Sequence, residues 1–198
     1  MKNRKLLQFL VLLHIVIITI SNFLVSIPLD IIGIKLTWAA FSFPLIIVAT
    51  DLTVRLVGKS VATRTISFAF PFAIISSFLI IYFEQNLFSI AFRISLASSI
   101  AYALSILIDI NAFQYFRDKY SYWWVAPVLS TFVSNIIDTY SFFFSAFYNS
   151  EDLYMANNWF EIATNQLIIK IIIGIIFFLP VYGILLNYLK KQILIKKK

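Results

Sequence analysis

Cysteine is absent from the 198-residue chain, and histidine occurs once, as His14. The first absence removes disulfide frameworks, thiolate zinc sites and cysteine nucleophiles, and the second leaves no pair for a metal and no relay for a serine. Four glycines give hardly enough material for a phosphate-cradling loop. No Walker A loop, dinucleotide glycine pattern, G-x-S-x-G elbow or H-E-x-x-H helix is present. Charge is also scarce, at 13% of residues against about 25% in soluble domains. No acid–base or nucleophile pair singles out a reaction. The chain therefore reads as a non-enzyme without a cofactor.

Apolar residues fill the space these absences leave. Hydrophobic side chains make up 61% of the sequence and aromatic ones 18%, far more than a compact soluble core of this size hides without large exposed patches. The solvent these residues suit is lipid. Six apolar runs, at about 6–26, 36–57, 63–83, 87–110, 122–148 and 159–189, are each long enough to cross hydrocarbon about 30 Å thick. Connections between them are short, with Pro28 and Gly33 in the first and Gly58 in the second. The expected fold is an all-α integral membrane protein, one domain over 1–198, with six transmembrane helices in a single bundle. A signal peptide is the rival reading of the first run, but that run exceeds the usual apolar length and no A-x-A-like site follows it.

The net charge of +7 reports direction rather than nucleic-acid binding. If six helices alternate, Lys2, Arg4, Lys5, Arg55, Lys59, Arg64, Arg117, Lys119, Lys190, Lys191 and Lys196 to Lys198 all fall on one side. The opposite loops hold Lys35 with Glu84, Glu151 and Asp152. Cytoplasmic loops carry the Lys/Arg excess, so both termini are expected in the cytoplasm.

Ionisable side chains within the spans are costly in lipid and normally face the bundle interior or a wet cavity. Taking about 1.5 Å of rise per residue, Asn22, Arg93, Asn135, Asp138, Gln166 and Lys170 come from four helices to a shared level in the outward half. Trp38, Phe41 and Phe142 offer ring surfaces there. These nine residues are the candidate substrate-binding set. Asp138 with Arg93 or Lys170 also reads as a buried ion pair fixing helix register. Asp51 and Arg55 form an acid-before-base i,i+4 pair, either structural or an inner gate, and Asp109 beside Asn111 carries the same ambiguity. His14 suits an interior hydrogen bond or a proton carrier. Small residues of the fourth run, Ala91, Ser95, Ser99 and Ala103, permit close helix approach and suggest a central helix. The third run brings no ionisable group to the shared level and reads as facing lipid or as support.

Several segments resemble the bacterial queuosine precursor transporter family: SNFLVSIP (21–28), TWAAFSFPLIIVATDLTVRLVG (37–58), RISLASSIAYALSILIDINAF (93–113), WWVAPVLSTFVSNIIDTYSFFFSAF (123–147) and FFLPVYGILLN (177–187). The T-D-L-T-V-R and D-T-x-x-F-F pieces are the most specific. The resemblance implies uptake of 7-cyano-7-deazaguanine, and of its 7-aminomethyl derivative, across the inner membrane by a six-helix protein that works without a dedicated ATPase. It also implies roles for Asn22, Asp51, Arg55, Arg93, Asp138 and Lys170, while Gln166 stands where similar sequences can have an acidic residue. The expected partners are the deazaguanine and the lipid bilayer, with self-association compatible and nucleic acid excluded. The alternative is a substrate-capture subunit for another heterocycle or vitamin, served by a separate energising module. Without an ATP site, uphill transport would draw on an ion gradient, an external motor or metabolic trapping.

Overall fold

The computed structural model describes residues 2–25, 28–31, 34–85 and 87–195, with side chains at 5–21, 23–24, 38, 41–42, 44–83 and 87–192. In lipid every backbone polar group must be satisfied internally, so apolar runs of this length fold as helices. The runs are α1 Lys2–Val25, α2 Ala39–Leu56, α3 Lys59–Gln85, α4 Phe88–Lys119, α5 Val125–Phe147 and α6 Leu153–Ile173. A π-helical turn, Gly174–Phe178, joins α6 without a break to α7, Leu179–Ile195. Between α1 and α2, β1 (Pro28–Ile31) pairs antiparallel with β2 (Ile34–Thr37), with Pro28 opposite Thr37 and Ile31 opposite Ile34. The second apolar run becomes helical only at Ala39, after this ribbon.

Among the described residues, three helical stretches are long and apolar enough to cross a membrane: Lys59–Phe83, Phe88–Lys119 and Leu153–Gln192. The last is 40 residues long, or about 60 Å, twice the usual hydrocarbon thickness. Helix α4 continues beyond the apolar run to Lys119, supported by an i,i+4 hydrogen bond from the Gln114 amide to Asp118 at 2.8 Å. Gly58, with φ 111°, ends α2 in the left-handed region and gives its N–H to the Thr53 carbonyl at 3.0 Å.

Helix α4 packs between α3 and α5. Its Ala91, Ser95, Ala97, Ser99, Ala101 and Ser105 are buried, so small side chains let the neighbouring backbones approach. Phe92, Leu96, Ile100 and Leu104 form the opposite, exposed stripe at four-residue spacing. Helix α3 packs on α1 and α4 through Ala62, Ile66, Ala69 and Ala73 while exposing Phe68, Phe72, Ile75 and Leu79. The apolar core gathers Ile46, Val54, Ile66, Ile106, Ile110, Phe113, Tyr182 and Leu186 from α2, α3, α4 and α7.

Candidate functional site

Proline and glycine shape the main cleft. Pro44 lies within α2, Pro127 in the first turn of α5 and Gly174 at the π-helical turn, where side chains are small and backbones are not regularly bonded. The three helical stretches enclose a cleft of about 550 Å³, its open mouth included. Ile47, Val48, Val128, Ile171 and Leu179 make apolar walls, and Phe132, Phe178 and Tyr182 supply rings. Phe132 and Ile175 are exposed at its flank. Asp51, Thr131 and Asn135 are the polar side chains along it, with the Tyr182 hydroxyl.

Asn135 is 1% exposed, and neither its amide oxygen nor its amide nitrogen has a protein partner. A buried amide without partners costs about 1–3 kcal/mol, so this side chain is ready for a ligand that offers one donor and one acceptor. Asp51 Oδ1 is likewise buried without a donor. Behind it, Asp109 on α4 reaches the Asp51 carboxyl at hydrogen-bonding range, while Ser134 Oγ lies 3.2 Å from Asp109 Oδ1.

One turn from Asn135, α5 and α6 are tied together. Lys170 Nζ donates to Asp138 Oδ2 at 2.9 Å and to Thr139 Oγ1 at 3.3 Å, and Ser105 Oγ approaches Asp138 Oδ1 at 3.5 Å. All four side chains are buried. The sequence reading of Asp138 as half of a closed pair describes this contact.

Arg93 does not join them. It sits about 18 Å along α4 from Ser105 and donates to the carbonyls of Ser145 (3.3 Å), Tyr148 and Asn149. These are the free carbonyls at the end of α5, which a guanidinium satisfies and whose dipole favours a cation. The shared outward-half level expected for Arg93, Asp138 and Lys170 is thus two separate places. Trp38 and Phe41 contact each other with ring centroids 5.8 Å apart, and Phe142 packs edge-on to Phe143 at 5.2 Å. Neither these three rings nor the half-buried Gln166 line the cleft. The Asn22 side chain lies outside the described residues.

Asp51 and Arg55 make no ion-pair contact, although Arg55 remains within Coulombic reach of the carboxyl. Arg55 instead donates from one guanidinium nitrogen to the Trp123 carbonyl at 3.1 Å and the Tyr182 hydroxyl at 3.4 Å. A fixed backbone acceptor and a phenol compete successfully with the flexible i,i+4 contact, worth only about 0.3–0.5 kcal/mol when exposed. Trp123 stacks on Tyr182 with centroids 6.3 Å apart, and Gly183 lies so close beneath the indole that a Cβ there would meet it at 2.7 Å. Arg55 and Trp123 thereby brace Tyr182, which lines one end of the cleft. Tyr182 and Trp123 escape sequence reading because both look like interfacial aromatics; glycine at 183, next to a tyrosine, is the local sign of close approach.

His14 is committed to structure: Nδ1 bonds the Leu10 carbonyl at 2.8 Å, and Nε2 lies 3.2 Å from Thr50 Oγ1. A smaller cavity between α1, α2, α3 and α4 is lined by Ser21, Ser99 and Tyr102, whose buried hydroxyls have no protein partner.

Residues 37–185 match the family described as "Putative vitamin uptake transporter". The chain is 43% identical to the "Queuosine precursor transporter" of Escherichia coli (strain K12), over 96% of this chain and 90% of the relative. It is 35% identical to the "Probable queuosine precursor transporter" of Haemophilus influenzae (strain ATCC 51907 / DSM 11121 / KW20 / Rd), over 97% of this chain and 91% of that one. No solved structure matches it.

Proposed function

Because this chain belongs to the vitamin uptake transporter family, we propose that it imports queuosine precursors, 7-cyano-7-deazaguanine and its 7-aminomethyl derivative, for tRNA queuosine synthesis. It is a transporter and not an enzyme. In this reading residues 1–198 form one bundle of six spans in the bacterial inner membrane, with both termini cytoplasmic. The distribution of Lys and Arg supports that direction. The cleft then runs from mid-depth toward the inner end, deeper than an outward-half cavity.

The observation that carries the reading is the unpartnered Asn135 amide on the wall of an apolar cleft that has an open mouth and holds few polar groups. A deazaguanine lactam edge presents one N–H and one carbonyl, and a carboxamide presents the complementary acceptor and donor. The two can form a paired hydrogen bond where each would otherwise be stranded. Tyr182, Phe132 and Phe178 supply ring faces for the flat heterocycle, an interaction worth about 1–3 kcal/mol per base elsewhere. Asp138 and Lys170 hold the outer end of the cleft by joining α5 to α6. Arg55, Tyr182 and Trp123 form the inner closure, and Trp38, Phe41 and Gln166 flank the outward approach.

Purified chain in liposomes tests this directly. Saturable uptake of labelled 7-cyano-7-deazaguanine without added protein is the expected result. Binding without uptake would favour the capture-subunit alternative, and no saturable binding at all would remove the reading.

A further inference from the structure

Asp51 and Asp109 are 1% and 0% exposed, come from different helices, and bring their carboxyls to hydrogen-bonding range. Charge complementarity does not explain the approach. Two carboxylates have only acceptors between them, so their contact is a hydrogen bond when one of them carries a proton. Asp51 Oδ1 and Asp109 Oδ2 have no protein donor.

No cation is seated on the pair among the described residues. Arg55, on α2 with Asp51, stays within Coulombic reach of that carboxyl but makes no ion-pair contact with it and gives its guanidinium to Trp123 and Tyr182. Arg117, further along α4, donates to the Val54 carbonyl at 3.2 Å. From α5 the facing groups are the hydroxyls of Ser130 and Ser134, and from α7 the phenol of Tyr182. His14 on α1 is engaged by Leu10 and Thr50. The Asn135 amide, also unpartnered, shares the cleft with Asp51. The carboxyl pair thus adjoins the place where the ligand is proposed to sit.

We propose that the Asp51–Asp109 carboxyl pair is a proton-binding site of the transport cycle, and that a proton crosses with the heterocycle. The pair holds one proton in the conformation described. When α2 and α4 separate, the carboxylic acid becomes a carboxylate and releases that proton to the cytoplasmic side, and the next is taken from outside. The inference rests on the transport reading above and adds an energy source to it. The nitrile-bearing deazaguanine is neutral, so a proton gradient can drive its accumulation only through such a partner. At one proton per ligand, a one-unit pH difference sustains about tenfold accumulation.

The test uses the full chain in liposomes, with the outside one pH unit more acidic than the lumen and labelled 7-cyano-7-deazaguanine supplied outside. Accumulation approaching tenfold, abolished by a protonophore, is expected. Asp109→Asn, whose amide can still bond Asp51, should bring the inside-to-outside ratio to about one, and Asp109→Glu should restore part of the gradient response. Saturable uptake indifferent to the pH gradient, or accumulation driven by a sodium gradient at equal pH, would overturn the proton site while leaving the transport reading standing. Absence of saturable uptake would remove that reading and the co-transport with it. An infrared spectrum reads the proton without transport: a protonated-carboxyl band at neutral pH, lost in both Asp109→Asn and Asp51→Asn, is expected, and its absence from the unsubstituted protein overturns the site.

Discussion

Helix α5 carries two polar clusters one turn apart, and they are built in opposite ways. Around Asp138 the buried charge is answered by Lys170 at 2.9 Å, with Ser105 and Thr139 completing the group. Around Asn135, about 4.5 Å along the same helix, the amide, Asp51 Oδ1 and Asp109 Oδ2 all lack protein partners. A closed ion pair fixes which helix faces meet, whereas stranded hydrogen-bonding groups destabilise the fold unless something else uses them. The first cluster has the character of a fastening and the second that of a site.

The contrast is broken most forcefully at Lys170. Lys170→Ala leaves Asp138 as an uncompensated buried charge, and a loss of about 3–5 kcal/mol is expected. It should appear as a lower thermal midpoint in detergent. The double variant Asp138→Leu/Lys170→Met should recover most of that loss. At the other cluster the effects reverse: Asn135→Ala should weaken 7-cyano-7-deazaguanine binding by about 1–3 kcal/mol, or roughly 5- to 150-fold, through the loss of two hydrogen bonds, with the thermal midpoint held or raised. Equal effects on stability at both positions would erase the distinction.

Smaller effects sharpen it. Gly183→Ala drives a Cβ to within 2.7 Å of the Trp123 indole, so overpacking of about 1–3 kcal/mol is expected at the inner closure. Its measured signature is a change in uptake rate exceeding the change in binding. Arg93→Ala removes the cap on α5 and should cost about 0.3–1 kcal/mol of stability, read from chemical unfolding. The ligand Kd should not move, because Arg93 serves carbonyls remote from the cleft.

Much of the helical framework is legible in the sequence because apolar length and backbone satisfaction in lipid impose it. The small-residue pattern of α4 likewise announces a helix between two others, which α3 and α5 supply. Part of the Asp138–Lys170 contact is also readable, since opposite charges in apolar runs require partners. The rest is hidden for identifiable reasons. Arg93 bonds main-chain carbonyls, which have no sequence identity to match. Arg55 leaves its i,i+4 neighbour for the Trp123 carbonyl, 68 positions away. The approach of Asp51 to Asp109 runs against the complementarity that sequence reasoning uses. The cleft itself depends on Pro44, Pro127 and Gly174 meeting in space, which separate helical patterns do not encode.

Where the ligand sits can be read by chemical protection, since the chain has no cysteine of its own. Thr131→Cys places a single thiol on the cleft wall, and Ser89→Cys places one on the exposed start of α4, one turn before Arg93. Saturating 7-cyano-7-deazaguanine should slow maleimide labelling at position 131 and leave position 89 unaffected. Protection at 89 with none at 131 would contradict the account.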